Sequence, residues 1–83
     1  MKILKFYAEW CGPCKQLTKT IEEFKDLHPE VEFESINAED SEDLVEKYGI
    51  RNVPVLIKLV DGVEVSRFHG ILCLADLEKF VLE

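Results

Sequence analysis

The sequence predicts an α/β domain, a four-stranded mixed sheet flanked by three helices in the order β-α-β-α-β-β-α. Two observations carry this. Short apolar runs first alternate with amphipathic stretches, the pattern of strands joined by crossover helices. Two apolar runs then meet at Asp61-Gly62, a two-residue hairpin signal, so the last two strands are antiparallel neighbours.

Lys2 to Ala8 is an almost continuous apolar run built on Ile3, Leu4, Phe6 and Tyr7, as expected of a central strand covered on both faces. Lys5 interrupts it and reads either as an edge residue reaching for solvent or as a functional charge. From Lys15 to Leu27, Leu17, Ile21, Phe24 and Leu27 recur at helical spacing, while Lys15, Lys19, Glu22, Glu23 and Lys25 lie mainly on the other side. One face of this helix packs on the sheet. His28-Pro29 stops it, because a residue before proline is pushed out of the helical region. His28 reads as a solvated C-terminal residue interacting with the helix dipole.

Val31 to Ile36 alternates apolar with charged residues and reads as a strand, with Glu32 and Glu34 between its hydrophobic positions. Asn37-Ala38-Glu39-Asp40 is a polar turn. Asp40 or Ser41 is placed to cap a short helix running to about Tyr48, with Leu44, Val45 and Tyr48 as its buried stripe and Gly49 as its left-handed end. Val55 to Val60 and Val63 to Phe68 are the hairpin strands, and Gly70 breaks the second. A final helix covers Leu74 to Leu82, with Leu74, Leu77, Phe80 and Val81 facing inward.

The chain has 83 residues and reads as a single domain over 1–83, enough to bury about 60–70% of the unfolded surface. Hydrophobic residues at 47% and charged ones at 33% fit a compact fold and exclude a disordered chain. The net charge of -7 disfavours nucleic acid and anionic membranes, both of which select basic surfaces. No leader-like segment is legible, and no apolar run approaches the ~20 residues that span a bilayer. Three cysteines is an odd count, which fits a reducing cytoplasm better than a structural disulfide framework.

The stretch Trp10-Cys11-Gly12-Pro13-Cys14 organises the rest. Cysteines three apart on a helix share a face, close enough for their sulfurs to bond or to grip a metal. With a strand running in and a helix leaving, Cys11 sits at a helix N-terminus, where unpaired N–H groups and the dipole favour its thiolate. Such a cysteine attacks disulfides. Pro13 stiffens the motif and removes an N–H that the first turn could not pair. A rival reading is zinc, since His69 and Cys73 would complete a Cys₃His set with Cys11 and Cys14. That reading gives Gly12-Pro13, Trp10 and Val53-Pro54 no role.

Two blocks, Phe6-Tyr7-Ala8-Glu9-Trp10-Cys11-Gly12-Pro13-Cys14-Lys15 and Tyr48-Gly49-Ile50-Arg51-Asn52-Val53-Pro54, resemble the signature blocks of thioredoxins, with Asp61-Gly62 and Gly70 in matching places. The family pattern has one more strand and helix ahead of the motif. The resemblance therefore implies a shortened thioredoxin-like fold, in which the motif strand and the Val55 strand are central. The Val31 strand then lies at an edge, guarded by its glutamates.

The resemblance also implies a thiol-disulfide oxidoreductase that reduces protein disulfides, with Cys11 as nucleophile and Cys14 as the buried thiol that resolves the mixed disulfide. It implies a redox-active Cys11–Cys14 disulfide, no bound cofactor or metal, and electrons arriving indirectly from NADPH through thioredoxin reductase. The partners would be that reductase and disulfide-containing proteins, met by a monomer that binds no nucleic acid and no membrane. Trp10 offers broad docking area beside the nucleophile. Gly12, Pro13, Ala38, Asn52, Val53, the cis-proline Pro54, His69, Gly70 and Ile71 would surround the cysteines. His69 stands where the family tends to be aliphatic, and Lys19 replaces a kinking proline, implying a straighter helix. Cys73 is expected to fill the start of the last helix and to be dispensable for catalysis.

Two other readings stand beside this one: a glutaredoxin-like, glutathione-dependent reductase, and a thioredoxin-fold structural subunit. Glutaredoxins usually present a tyrosine where Gly12-Pro13 stands. The sharpest departure from the family is Lys5. Thioredoxins carry a buried aspartate there, with a lysine on the neighbouring strand, and that aspartate helps deprotonate the resolving cysteine; the matching residues here are Lys5 and Ser35. A charged Lys5 near Cys14 would favour thiolates and raise the reduction potential, a neutral one would act as a base, and one reaching solvent or a glutamate would do neither.

Overall fold

The computed structural model describes residues 1–83. The apolar and amphipathic runs fold as β1 (Lys2–Tyr7), α1 (Gly12–Leu27), β2 (Glu32–Asn37), α2 (Glu42–Tyr48), β3 (Val55–Val60), β4 (Val63–His69) and α3 (Leu74–Leu82). The sheet order is β2-β1-β3-β4, with β1 parallel to β2 and the other neighbours antiparallel. The expected mixed sheet with β1 and β3 at its centre is therefore present. The two central strands are the most apolar, because both of their faces are covered.

Paired residues on neighbouring strands share a face. Ile3, Lys5 and Leu56 thus point to one side, where α1 and α3 lie, and Leu4, Phe6, Val55 and Ile57 point to the other, covered by α2. On the first side α1 buries Leu17, Ile21 and Phe24 against α3's Leu77 and Val81. Each such side chain contributes about 1.5–3 kcal/mol by leaving water. The second side is thinner: Leu44, Val45 and Tyr48 of α2 are only half-buried against it. That makes α1, the helix carrying the motif, the better anchored of the two crossover helices.

The turns behave as their residues dictate. Asp61 and Gly62 take φ values of 53° and 80°, closing the β3–β4 hairpin with the twist that its strands need. Gly49, at φ 64°, ends α2 in the left-handed region. Ser41 occupies the N-cap of α2, but its side chain makes no capping hydrogen bond.

Several local expectations change. Helix α1 starts at Gly12, taking the motif into its first turn, and β4 runs on to His69. Leu27 is exposed, because the apolar stripe of α1 rotates away from the sheet before its last residue. His28 is half-buried rather than solvated. Its ring lies on Phe24, and its Nε2 meets Glu78 Oε2 at 2.9 Å, tying the end of α1 to α3.

Lys58 is a second interruption in a central strand and is 9% exposed. Its Nζ donates to the Phe80 carbonyl at 3.4 Å, in the last turn of α3, where a cation meets the negative end of the helix.

Candidate active site

The site forms where β1 ends and α1 begins. The chain leaves β1 through Ala8, and the Cys11 N–H donates back to the Ala8 carbonyl at 3.2 Å, tightening the turn. Cys11 becomes the N-cap of α1, with extended backbone (φ -86°, ψ 107°), and its Sγ accepts the Cys14 N–H at 3.2 Å. This is the position of a capping oxygen, occupied by sulfur. Pro13 sits in the first turn, where its missing N–H costs nothing.

Cys11 and Cys14 are paired as a disulfide, with Cα atoms 5.3 Å apart, inside the usual range for such a bond. They are 4% and 3% exposed, so the expected contrast of an open first thiol and a closed second one is absent. Ala8, Tyr7 and Val53 pack around both. What separates the two sulfurs is hydrogen bonding. The helix N–H aimed at Cys11 Sγ stabilises negative charge there when the bond is reduced, and no such donor is aimed at Cys14.

The second signature block closes the site from another part of the chain. Cys11 Sγ lies 3.8 Å from the Val53 carbonyl, 42 residues away in sequence. The Val53-Pro54 peptide bond is cis. The Gly70 N–H donates to the Pro54 carbonyl at 3.0 Å, and Gly70 holds φ at 106°, a conformation that a residue with a Cβ rarely adopts. Ala38 docks beside the motif because its N–H extends the β1–β2 ladder to the Tyr7 carbonyl at 2.8 Å.

Around these atoms a groove of about 400 Å³ is lined by Trp10, Ala38, Asn52 and Val53, with Glu39 and Arg51 beside them. Trp10 is 73% exposed, an apolar surface facing solvent beside the nucleophile. Sequence reading missed Glu39 and Arg51 as groove residues; their one signal was adjacency to Ala38 and Asn52. Gly12 and Pro13 are exposed at the helix start, and His69 is exposed at the end of β4, opposite Val55. Ile71 lines a separate groove of about 690 Å³ between β4 and α3, with Phe68, Leu72 and Phe80. No three His, Cys, Asp or Glu side chains are grouped to hold a metal ion, so the Cys₃His set is not assembled.

Lys5 is 6% exposed and forms no ion pair, so of its three alternatives the one reaching solvent or a glutamate is not adopted. Its Nζ donates to Thr18 Oγ1 and lies 5.3 Å from the centre of the Tyr7 ring. Thr18 Oγ1 in turn donates to the Cys14 carbonyl at 2.9 Å. Burial pushes the lysine below its ordinary value; Glu22 opposes the shift and Lys25 adds to it.

Comparison with known proteins agrees with this geometry. A family model described as thioredoxin matches residues 1–83. A thioredoxin of Chlamydia caviae is 39% identical over 69 residues, covering 83% of this chain and 68% of that protein. Thioredoxin-1 of Caenorhabditis elegans is 35% identical over 82 residues, covering 98% of this chain and 70% of that protein. The crystal structure of Fasciola hepatica thioredoxin superposes with a TM-score of 0.89 at 31% identity, covering 98% of this chain and 77% of the other. A cysteine pair held in this way is suited to dithiol–disulfide exchange, and the chain belongs to the thioredoxin family.

Proposed function

We propose that this protein reduces disulfides in other proteins and is recharged by thioredoxin reductase with electrons from NADPH. In the forward reaction the Cys11 thiolate attacks a target disulfide, forming a Cys11–target bond and releasing one target thiolate. Cys14 then attacks Cys11 Sγ, which closes the Cys11–Cys14 bond and releases the second target thiolate. Two electrons pass from the cysteine pair to the target, and the two released sulfurs take up protons from solvent.

The observation that carries this reading is the capping position of Cys11 Sγ, one helical turn from a second sulfur. Trp10, Ala38, Asn52 and Val53 would seat the target segment, with Gly12, Pro13, Pro54 and Gly70 shaping the backbone around it. The reading places the protein in a reducing compartment such as the cytoplasm, acting as a monomer and using residues 1–83 as one unit. No helix is long and apolar enough to cross a membrane.

The test supplies the purified protein with a protein disulfide and one of two electron sources. NADPH with thioredoxin reductase should sustain turnover, and glutathione with its reductase should not. Turnover with glutathione alone would replace this reading with a glutaredoxin-like one. Turnover with neither source would leave a structural role for the fold.

A further inference from the structure

We propose that Lys5 is a positioning residue for the resolving step, its ammonium serving as the buried counter-charge that holds Cys14 as a thiolate once Cys11 is joined to a target. The inference rests on the reading of the cysteine pair given above.

An ammonium group taken out of water is costly unless an anion or several acceptors replace its hydration. Lys5 has neither. Its one hydrogen-bond acceptor is the neutral Thr18 hydroxyl, and the Tyr7 ring adds only a weak π contact. The carboxylates that form ion pairs go elsewhere, to Lys2, His28 and Arg67. By contrast Lys58, equally buried on the same side of the sheet, rests against a carbonyl at the negative end of α3. No anion of the chain therefore pairs with Lys5 while the cysteines are bonded to each other.

Reduction supplies that anion. Lys5 and Cys14 line one cavity of about 300 Å³, together with Thr18 and Ser35. The other ionisable groups facing it are Tyr7 from β1, Glu9 beyond it and Lys15 from α1, with Glu22 and Lys25 acting from further along α1. Glu9 and Lys15 are exposed, and so are Glu22 and Lys25, so water screens all four charges. β2 contributes only the Ser35 hydroxyl; on β3 apolar Leu56 stands opposite Lys5, and Lys58, diagonal to it on the same face, gives its ammonium to the Phe80 carbonyl. Cys14 is the buried group in the cavity that becomes negative during turnover.

Burial alone would keep the Cys14 thiol protonated and slow its attack. A neighbouring ammonium reverses this by attraction across a region of low dielectric. The step balances without another reactant. The Cys14 S–H bond ionises and its proton leaves past the exposed rim of the cavity, after which Cys14 S⁻ forms the bond to Cys11 Sγ while the Cys11–target bond breaks. The target sulfur departs with the electron pair, and Lys5 remains an ammonium throughout. The Thr18 hydroxyl, fixed on the Cys14 carbonyl, sets where that ammonium sits.

The test follows both steps on one trace. The reduced protein, carrying Cys73→Ser here and in every variant below so that the exposed third thiol cannot react, is mixed with a substoichiometric amount of dithiobis(nitrobenzoate), which releases one coloured thiolate when Cys11 attacks and a second when Cys14 resolves. In Lys5→Met the first release should be unchanged. The second should have its pH midpoint moved up by about one unit, making it about tenfold slower at neutral pH, and should merge with wild type at alkaline pH, where Cys14 is ionised in both.

Thr18→Val should move the midpoint part of the way. Identical midpoints in wild type and Lys5→Met would overturn the proposal, as would a slowing of equal size at every pH, which is the mark of a distorted site. A larger displacement in Thr18→Val than in Lys5→Met would assign the effect to the hydroxyl instead and overturn it as well. If wild type releases no second thiolate, the reading of the cysteine pair fails and this inference fails with it.

Discussion

Two of the three helices begin at a cysteine, and the two starts differ. Cys11 caps α1 and Cys73 caps α3, both with extended backbone, at φ -86° and -76°. Cys11 turns its sulfur onto the helix, where it accepts the Cys14 N–H, whereas Cys73 is exposed and its side chain accepts nothing. The dipole of α1 acts on its cysteine through a short, aimed donor; the dipole of α3 reaches its cysteine only through solvent. A helix start therefore does not by itself make a nucleophile. The sulfur must point inward, a second sulfur must follow one turn later, and another segment must close over them, as Val53 does at α1.

The most severe way to break this contrast is to remove the sulfurs of α1. Cys11→Ser should lower disulfide reduction by at least about a thousandfold, to background, because a hydroxyl is not ionised at neutral pH. Cys14→Ser should stop turnover at a different point, leaving a stable mixed disulfide between Cys11 and the target, visible as added mass. Wild-type turnover in both variants would show that the chemistry lies elsewhere.

A gentler test leaves the chain unchanged. In the reduced protein at neutral pH, alkylation followed by peptide mapping should modify Cys11 before Cys73, since the aimed N–H favours the Cys11 thiolate. Equal rates of modification would mean that the hydrogen bond at Cys11 does not survive reduction. The contrast between the helix starts would then belong only to the bonded state.

The sequence made legible what depends on neighbours in the chain. Strand β3 and helix α3 have the bounds that their apolar patterns predict, and Asp61-Gly62 makes the hairpin that its dipeptide announces. The cysteine pair and the Val53-Pro54 block were also legible, because each is a compact motif. What was not legible is who stands opposite whom. Lys5 and Lys58 look alike in sequence, each one charge in an apolar run. The sheet register and helix packing decide that one meets Thr18 and the other the end of α3. His28 reads as solvated in the sequence because its partner Glu78 lies 50 residues away. The burial of Cys11 escaped for the same reason, since Val53 and Ala8 cover it only after the sheet has formed.

The smallest expected effect lies at the other helix start. Cys73 has the backbone of an N-cap, and its carbonyl already accepts the Leu77 N–H at 2.9 Å, the first hydrogen bond of α3. Its side chain leaves the free N–H groups of the first turn to water. A serine oxygen at this position is a far better acceptor than a thiol, and Asp76 stands three residues on, where an acid completes a capping pair and favours the positive end of the helix. Cys73→Ser should therefore stabilise the protein by about 0.5–1 kcal/mol, read as a melting temperature higher by about 2–8 °C for a chain of this size. Disulfide reduction should stay at the wild-type rate. Loss of most activity with an unchanged melting temperature would place Cys73 in the chemistry and abolish the distinction between the two caps. A lower melting temperature with full activity would mean that the thiol packs against the helix start more usefully than its exposure indicates.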